Sequence, residues 1–312
     1  MEINPLFAEP FVPFKTAEPA GLSILYEHPA WFEKLFAELD RRGIPFDRVL
    51  APHHFFEPGA GASRRSVLFN RMSPSAYKRE HGSGILYTLA LLGDVELSGV
   101  RVINGSRAYR YELSKALQLS LLKSMRLPFP KSRVIHDPKD APAASEGLRF
   151  PIVVKPNVGG SGAGVVRFDS KEALRAAAEE GRFDLGYDQV GLVQEFIPAR
   201  GGHITRVETL GGKYLYGIKV HLSGETFDLC SADICQTARG EALENACVVE
   251  PAKSGLKVEG YQPPREVISA IEAIVKSAGI DVGGIEYVID DRDGQIVSKA
   301  IHIPVALVDL GL

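Results

Sequence analysis

After an opening stretch without periodicity, the chain settles into alternating short and long apolar patterns. Residues 1–20 carry four prolines and read as an extended arm. Strand-length runs follow: SILYE (23–27), FDRVLA (46–51), SVLFNRM (66–72) and RVIN (101–104). Between them lie segments with helical spacing. In PAWFEKLFAELDRRG (29–43), Trp31, Leu35, Phe36 and Leu39 form one stripe that stops at Gly43. SGILYTLALLGDVEL (83–97) is a second helix. This alternation predicts an open, mostly parallel α/β sheet.

Beyond it, ELSKALQLSLLKSM (112–125) predicts a helix, residues 132–136 a strand and 137–147 a loop. From 149 the pattern becomes one of hairpins. RFPIVVKP and GVVRF flank a glycine-rich loop, a helix spans 170–180, and GLVQEFI (191–197) is a strand. Within 203–222, two strands meet at Gly211-Gly212, a hairpin signal. The helix 264–279 precedes a last hairpin within 283–301, turning at Asp290–Gly294.

Composition narrows the class. The 312 residues are 45% hydrophobic and 24% charged, which suffices for more than one core. A net charge of −3 argues against a generally nucleic-acid-binding surface. The three cysteines, Cys230, Cys235 and Cys247, make neither a disulfide framework nor a zinc site. No run approaches the length of a membrane span and no leader pattern opens the chain, so a cytoplasmic protein without membrane or nucleic-acid partners is expected.

The chemistry concentrates at IVVKPNVGGSGAGVVRF (152–168). A run of glycines lets backbone amides converge on one anion. Gly164 is followed by valine, which excludes the Walker pattern, and the loop runs into a strand instead of a helix, which excludes the dinucleotide fingerprint. A hairpin flap is the reading that remains, set against a plain tight turn. Lys155 lies inside the apolar strand before it, where a lysine is costly unless it meets an anion. On the strand 204–209, Ile204, Arg206 and Glu208 share a face, and Lys219 on the partner strand is expected in the same region; an exposed sheet face with ion pairs is the alternative.

The order of Lys115 in ELSKALQ, Val154-Lys155-Pro156, GGSGAG, Gln194-Glu195-Phe196-Ile197 and Arg206 in HITRVETLGG resembles the ATP-grasp superfamily. Within it, the chain is similar to the ribosomal-protein glutamate-ligase and glutathione-synthetase-like branch, which NRMSPSA (70–76) and RVINGSRAYRYELSK (101–115) also fit. The resemblance implies an α/β chain of α+β ATP-grasp type: an N-terminal open parallel domain (1–105), a small lobe with the glycine flap (106–196) and a C-terminal lobe (197–312), the two lobes clasping ATP. It implies that Lys115 and Lys155 contact the nucleotide phosphates. Gly159, Gly160, Ser161, Gly162 and Gly164 would cover them. Gln194, Glu195, Phe196 and Ile197 would line the base, with an acidic side chain on the ribose. Arg206, with Lys219, would be catalytic, neutralising the transferred phosphoryl.

It further implies a carboxylate–amine ligase that works through an acyl phosphate with ATP and Mg²⁺ on small-molecule or peptide substrates; self-association is left open. Glu286 stands where the first acidic metal ligand is expected. Counting across the turn, an acid and an asparagine are expected at 300 and 302, where the sequence has Ala300 and His302. Period two places Ser298, Ala300 and His302 on one face, and His302 is left as a candidate ligand beside Glu286. One reading of this departure is an altered or truncated end from about residue 298. A nucleotide-binding protein without turnover, or a small-molecule kinase, are the alternatives to the ligase. Arg71 in NRMSPSA is a candidate for a substrate carboxylate at a strand end.

Overall fold

In the computed structural model, residues 21–59, 66–160, 163–221 and 257–302 are described, the side chain of His302 excepted. The arm 1–20, Ser161, Gly162, the three cysteines and the tail 303–312 lie outside the described residues.

The first sheet comprises β1 (Leu22–Tyr26), β2 (Phe46–Leu50), β3 (Val67–Arg71) and β4 (Arg101–Ile103), all parallel, in the order β2-β1-β3-β4. Successive residues of β1 feed opposite faces, as strand alternation requires. Ile24 and Tyr26 pack with Phe32 and with Phe36 of α1 (Glu33–Arg41). Leu25, with Leu68 and Val102, packs under α2 (Ser83–Leu97) through Leu91, Leu92 and Val95. At the end of β1, the buried Glu27 accepts two bonds from Arg79 at 2.8 Å and faces His81 at 2.9 Å. Burial alone would raise its pKa, but the bonds to Arg79 and His81 prevail and hold it below the usual carboxylate range. That clamp fixes the turn carrying Tyr77.

The predicted helix 112–125 is two helices. α3 (Ser106–Leu113) and α4 (Lys115–Ser124) are separated by Ser114, whose backbone is extended (φ −133°) and whose hydroxyl accepts from the amide of Leu117 at 3.2 Å. Serine competes with the helix for backbone hydrogen bonds and caps well, so it ends one helix and starts the next.

The second sheet is antiparallel, β5 (Ser132–Ile135), β6 (Ile152–Pro156), β7 (Val166–Phe168) and β8 (Gly191–Glu195) in the order β5-β8-β6-β7. The short α5 (Ala141–Ala144) and α6 (Lys171–Glu179) cover it. β6 and β7 pair Ile152 with Phe168 and Val154 with Val166, so the glycine loop does close a hairpin. The third sheet is antiparallel too: β9 (His203–Leu210), β10 (Lys213–His221), β11 (Val258–Gly260), β12 (Val282–Ile289) and β13 (Ile296–His302), in the order β11-β10-β9-β12-β13. Gly211 and Gly212 both have positive φ, 60° and 74°, the backbone that a two-residue hairpin turn demands.

One face of this sheet packs on α7 (Arg265–Ala278) through Val207, Ile285, Tyr287 and Ile301. Ala108 of α3 and Leu121 and Leu122 of α4 belong to that same core. The two helices, expected in the small lobe, therefore pack with the C-terminal sheet. Asn104 ties in the first domain: its side chain accepts from the amides of Asp281 and Val282 at 2.9 and 3.1 Å and donates to the Val282 carbonyl at 2.8 Å.

A bulge interrupts β12–β13. Val297 pairs with Val288 and Ser298 with Tyr287, but Ala300 pairs with Glu286, leaving Lys299 as the extra residue. Strict period two therefore fails here. Ser298 turns to the α7 face with Tyr287, while Ala300 stays on the face of Glu286 and residue 302 pairs with Gly284. Among the described residues, no helix is long and apolar enough to cross a membrane.

Candidate functional site

Lys155 is the centre of the site. It sits on β6, every residue of which is buried, and is itself only 9% exposed. Burial, then the neighbouring charges of Lys115 and Lys299, push its pKa down to about 7. Among the described residues its ammonium makes no ion pair, and the charges that act on it are those of two lysines. A buried cation surrounded by cations is costly for folding, which marks it as a group kept for a ligand.

Lys115 opens α4 and donates to the carbonyls of Asn157 at 3.0 Å and Gly159 at 2.9 Å, the root of the flap. Burial brings it to about 8, against the opposing pull of Glu112 and Asp188. Asn157 organises this corner. Its side-chain oxygen accepts from the Ala116 amide at 2.9 Å and the Ser114 hydroxyl at 3.2 Å, and its side-chain NH₂ donates to Asp188 at 2.7 Å.

Two flap glycines have visible reasons. Gly159 has φ +132°, and a Cβ there would lie 2.9 Å from the Tyr77 hydroxyl. Gly164 has φ +70°, and its Cβ would lie 2.8 Å from the ring of Pro156. L-residues avoid both conformations, so the loop is shaped to pass over β6 at close range. A Cβ on Gly160 would meet nothing, leaving that peptide open to a ligand.

Along β8, the Gln194 side chain donates to the Ser132 hydroxyl at 2.7 Å, bracing β5. The Glu195 carboxylate accepts from the Arg149 amide at 2.9 Å. The amides of Glu195 and Phe196 donate to the carbonyls of Lys131 and Pro151, both at 3.0 Å. The Phe196 ring lies under the Arg167 guanidinium at 4.9 Å, and Ile197 packs against Ile204, Val288 and Val297. The expected base-binding stretch thus forms a braced edge, with the amides of Glu195 and Phe196 used within the small lobe.

On the third sheet, Arg206 is paired across the strands with Glu286, 3.0 Å apart, and lies 3.7 Å from Glu208. Lys219 does not join them. β10 sets Ile218, not Lys219, opposite Arg206; Lys219 stands opposite Thr205, the α7 face, above the ring of Tyr261 at 4.5 Å and 3.8 Å from Glu259. A one-residue difference in register reverses a side chain's face, which is why counting along the strand misplaced it. Arg71 is 8% exposed, stacked on Phe32 and Phe69 at 5.3 Å from each. Burial lowers it to about 10, while the charges of Glu112 and Glu208 resist. It joins the first domain to the charged face of the third sheet.

Sequence reasoning did not single out Lys299, Tyr77, Asn157 or Asp188. Asn157 was visible as the next residue on the face of Lys155. Lys299 was hidden by the bulge.

A RimK-like ATP-grasp domain model matches residues 113–225, the segment that holds both lysines, the flap, β8 and Arg206. Over these residues the chain is similar to RimK-like ATP-grasp domains. It is 29% identical over 212 residues to a probable alpha-L-glutamate ligase of Thioalkalivibrio sulfidiphilus, covering 64% of this chain and 69% of that one. It is 25% identical over 277 residues to the carbamoyl phosphate synthase large chain of Archaeoglobus fulgidus, covering 86% of this chain but only 24% of that much longer one. In fold, it matches the ATP-grasp ligase PsnB, solved with precursor peptide PsnA2 and AMPPNP, with a TM-score of 0.60, 17% identity and coverage of 96% and 93% of the two chains. The ATP-grasp architecture of two antiparallel sheets behind a parallel domain is the one described above.

Among the described residues, no magnesium site of the expected kind is formed. Mg²⁺ takes oxygen ligands in near-octahedral geometry. Here Glu286 faces Arg206 and lies in the field of Lys299, Ala300 brings no donor atom, and the described residues contain no cluster of three potential ligands.

Proposed function

We propose that the chain binds ATP between the second and third sheets and uses it to join a carboxylate to an amine. The reading rests on one observation above the others: Lys155 and Lys115 converge, buried, beneath a glycine hairpin. Charge-assisted bonds from two preorganised ammonium groups suit the polyphosphate. The open peptide at Gly160 suits close approach. Arg206, a planar fork of donors on the opposite sheet, suits the phosphoryl group in flight.

In this reading one carboxylate oxygen attacks the γ-phosphorus, the bond to the β–γ bridging oxygen breaks, and ADP departs with that electron pair. The amine nitrogen then attacks the acyl carbon of the acyl phosphate, inorganic phosphate leaves, and the nitrogen releases a proton. Positioning and neutralisation by Lys115, Lys155 and Arg206 carry both steps. The relatives favour an amino-acid or peptide acid, since one is a probable glutamate ligase and a structural neighbour was solved with a precursor peptide. Arg71 is buried by Phe32 and Phe69 with Glu112 and Glu208 in its field, so its role in this reading is to hold the charged face in place.

ADP release on mixing ATP with amino-acid and peptide pools, with mass spectrometry of the products, tests the proposal. A new amide supports it. A stable phosphorylated product points to a kinase instead. The altered surroundings of Glu286 favour a second reading, nucleotide binding without turnover, which ATP binding with no product would support.

A further inference from the structure

Lys299 is the residue whose position the strand pattern conceals. Val297 lies on the cleft-side face with Val288 and Ile204, Ser298 on the α7 face opposite Tyr287, and Ala300 again on the cleft side opposite Glu286. The bulge therefore puts two consecutive residues, Lys299 and Ala300, on the cleft side. β-Bulges commonly re-aim a side chain next to a functional site. Both neighbours are held: the Ser298 amide donates to the Pro128 carbonyl at 3.2 Å, and Ile301 exchanges two bonds with the Gln118 side chain, at 2.9 and 3.1 Å. The bulge is thus anchored on both sides by α4 and the segment after it, the same helix that presents Lys115.

The cleft-side position given by the bulge agrees with the electrostatics: Lys299 acts on Lys155 of the facing sheet, and Glu286 acts on Lys299. The cleft consequently has cations on both walls: Lys115 and Lys155 from the flap side, Arg206 and Lys299 from the third sheet. Glu286 stands between Arg206 and Lys299. A divalent ion bound to that carboxylate would be repelled by both, and Ala300 adds no oxygen to offset the repulsion.

We propose that the Lys299 ammonium, set into the cleft by the bulge of β13, takes the place of a divalent metal, so that the site holds the metal-free polyphosphate of a nucleoside triphosphate. The inference rests on the nucleotide reading given above and sharpens it. Without a metal the polyphosphate carries its full negative charge, and the four side-chain cations supply the counter-charge.

Calorimetry of the full chain with ATP, once in EDTA and once in excess Mg²⁺, tests it, with inorganic tripolyphosphate as a second probe. The wild type should bind ATP in EDTA at least as tightly as in Mg²⁺. Lys299→Glu should weaken binding in EDTA by about 30-fold or more, the scale of a reversed contact to a charged group, and should regain part of it with Mg²⁺. Lys299→Arg should keep metal-free binding, which controls for folding together with the melting temperature. Tighter wild-type binding in Mg²⁺ by about tenfold or more, or an unchanged Lys299→Glu affinity in EDTA, would overturn the inference while leaving the nucleotide reading intact. Tripolyphosphate binding that depends on Lys299, with no added affinity from the nucleoside, would overturn the nucleotide reading and the inference that rests on it, and would leave a site for a bare polyphosphate. Absence of binding to either probe would overturn both.

Discussion

The two walls of the cleft follow different rules. The strands of the flap wall lie where the sequence puts them: β6 is buried throughout, the hairpin closes, and Lys115 bonds the root of the flap beside Lys155. The opposite wall keeps the sheet and changes the chemistry. β12 and β13 pair as the pattern predicts, yet a bulge turns Lys299 into the cleft and Glu286 is faced by Arg206. A sheet's hydrogen bonds are indifferent to which side chains they carry, so the same scaffold can set Arg206 and Lys299 beside Glu286 and Glu208. What such a wall does must be read from side chains, not from fold.

The sharpest way to break the comparison is Lys155→Ala. If the flap wall holds the phosphates, ATP affinity should fall by about 100-fold, the worth of a charge-assisted contact in a buried site, as read by calorimetry. The empty protein should melt higher, because a buried cation with cationic neighbours opposes folding. Lower stability with unchanged affinity would make Lys155 structural. Asn157→Ala should have the next largest effect. It removes acceptors for Ala116 and Ser114 and a donor to Asp188, all within one corner. About 2 kcal/mol of stability and roughly tenfold in ATP affinity should be lost, since Lys115 and the flap root move together. Intact affinity in a destabilised variant would separate that corner from the ligand.

How far the sequence disclosed these walls depends on the kind of regularity involved. Alternating and helical periods located the strands and most helices, because burial on one face imposes them. The helix break at Ser114 was missed, since its leucines continue the stripe on both sides and the break comes from one serine's capping bond. Lys155 stood out because a lysine in an apolar strand has no local reason. Asp188 and Tyr77 could not stand out: each reaches the flap from a distant segment, through contacts that no spacing encodes. Lys219 and Lys299 went astray for a shared reason. Antiparallel register and a bulge each shift the face by one residue, and neither is written in a local pattern.

Acidity offers a third test, on the flap wall alone. Burial pushes Lys155 down to about 7 and Lys115 to about 8. A polyanion stabilises the charged forms, so binding should take up protons above neutrality. Affinity should be greatest below about pH 7 and fall as the free lysines lose their protons, by roughly fivefold to tenfold from pH 7 to 8. Calorimetry in two buffers of different ionisation enthalpy reads the proton uptake directly. The dependence should shrink to about twofold in Lys155→Arg, because a guanidinium stays charged across that range and only Lys115 still titrates. A flat profile in the wild type would mean that these lysines are already charged without ligand.

The smallest expected effect is also the one whose sign separates the walls most cleanly. Glu286→Gln keeps the shape of the side chain and removes its charge. If Glu286 held a metal for the nucleotide, the change would weaken ATP binding in Mg²⁺ by a large factor. In the arrangement seen here Glu286 competes with the ligand for Arg206, 3.0 Å away, and for Lys299. Removing its charge frees both cations toward the polyphosphate, while Glu208, two residues along β9 from Arg206, still steadies it at 3.7 Å. ATP affinity in EDTA should therefore rise, by about twofold to fivefold, the scale of one screened charge at the edge of a cleft. Combining the change with Lys299→Ala should cancel part of that gain, since residues of one charge network couple in this way. An affinity gain that survives the loss of Lys299 would assign the competition to Arg206 alone.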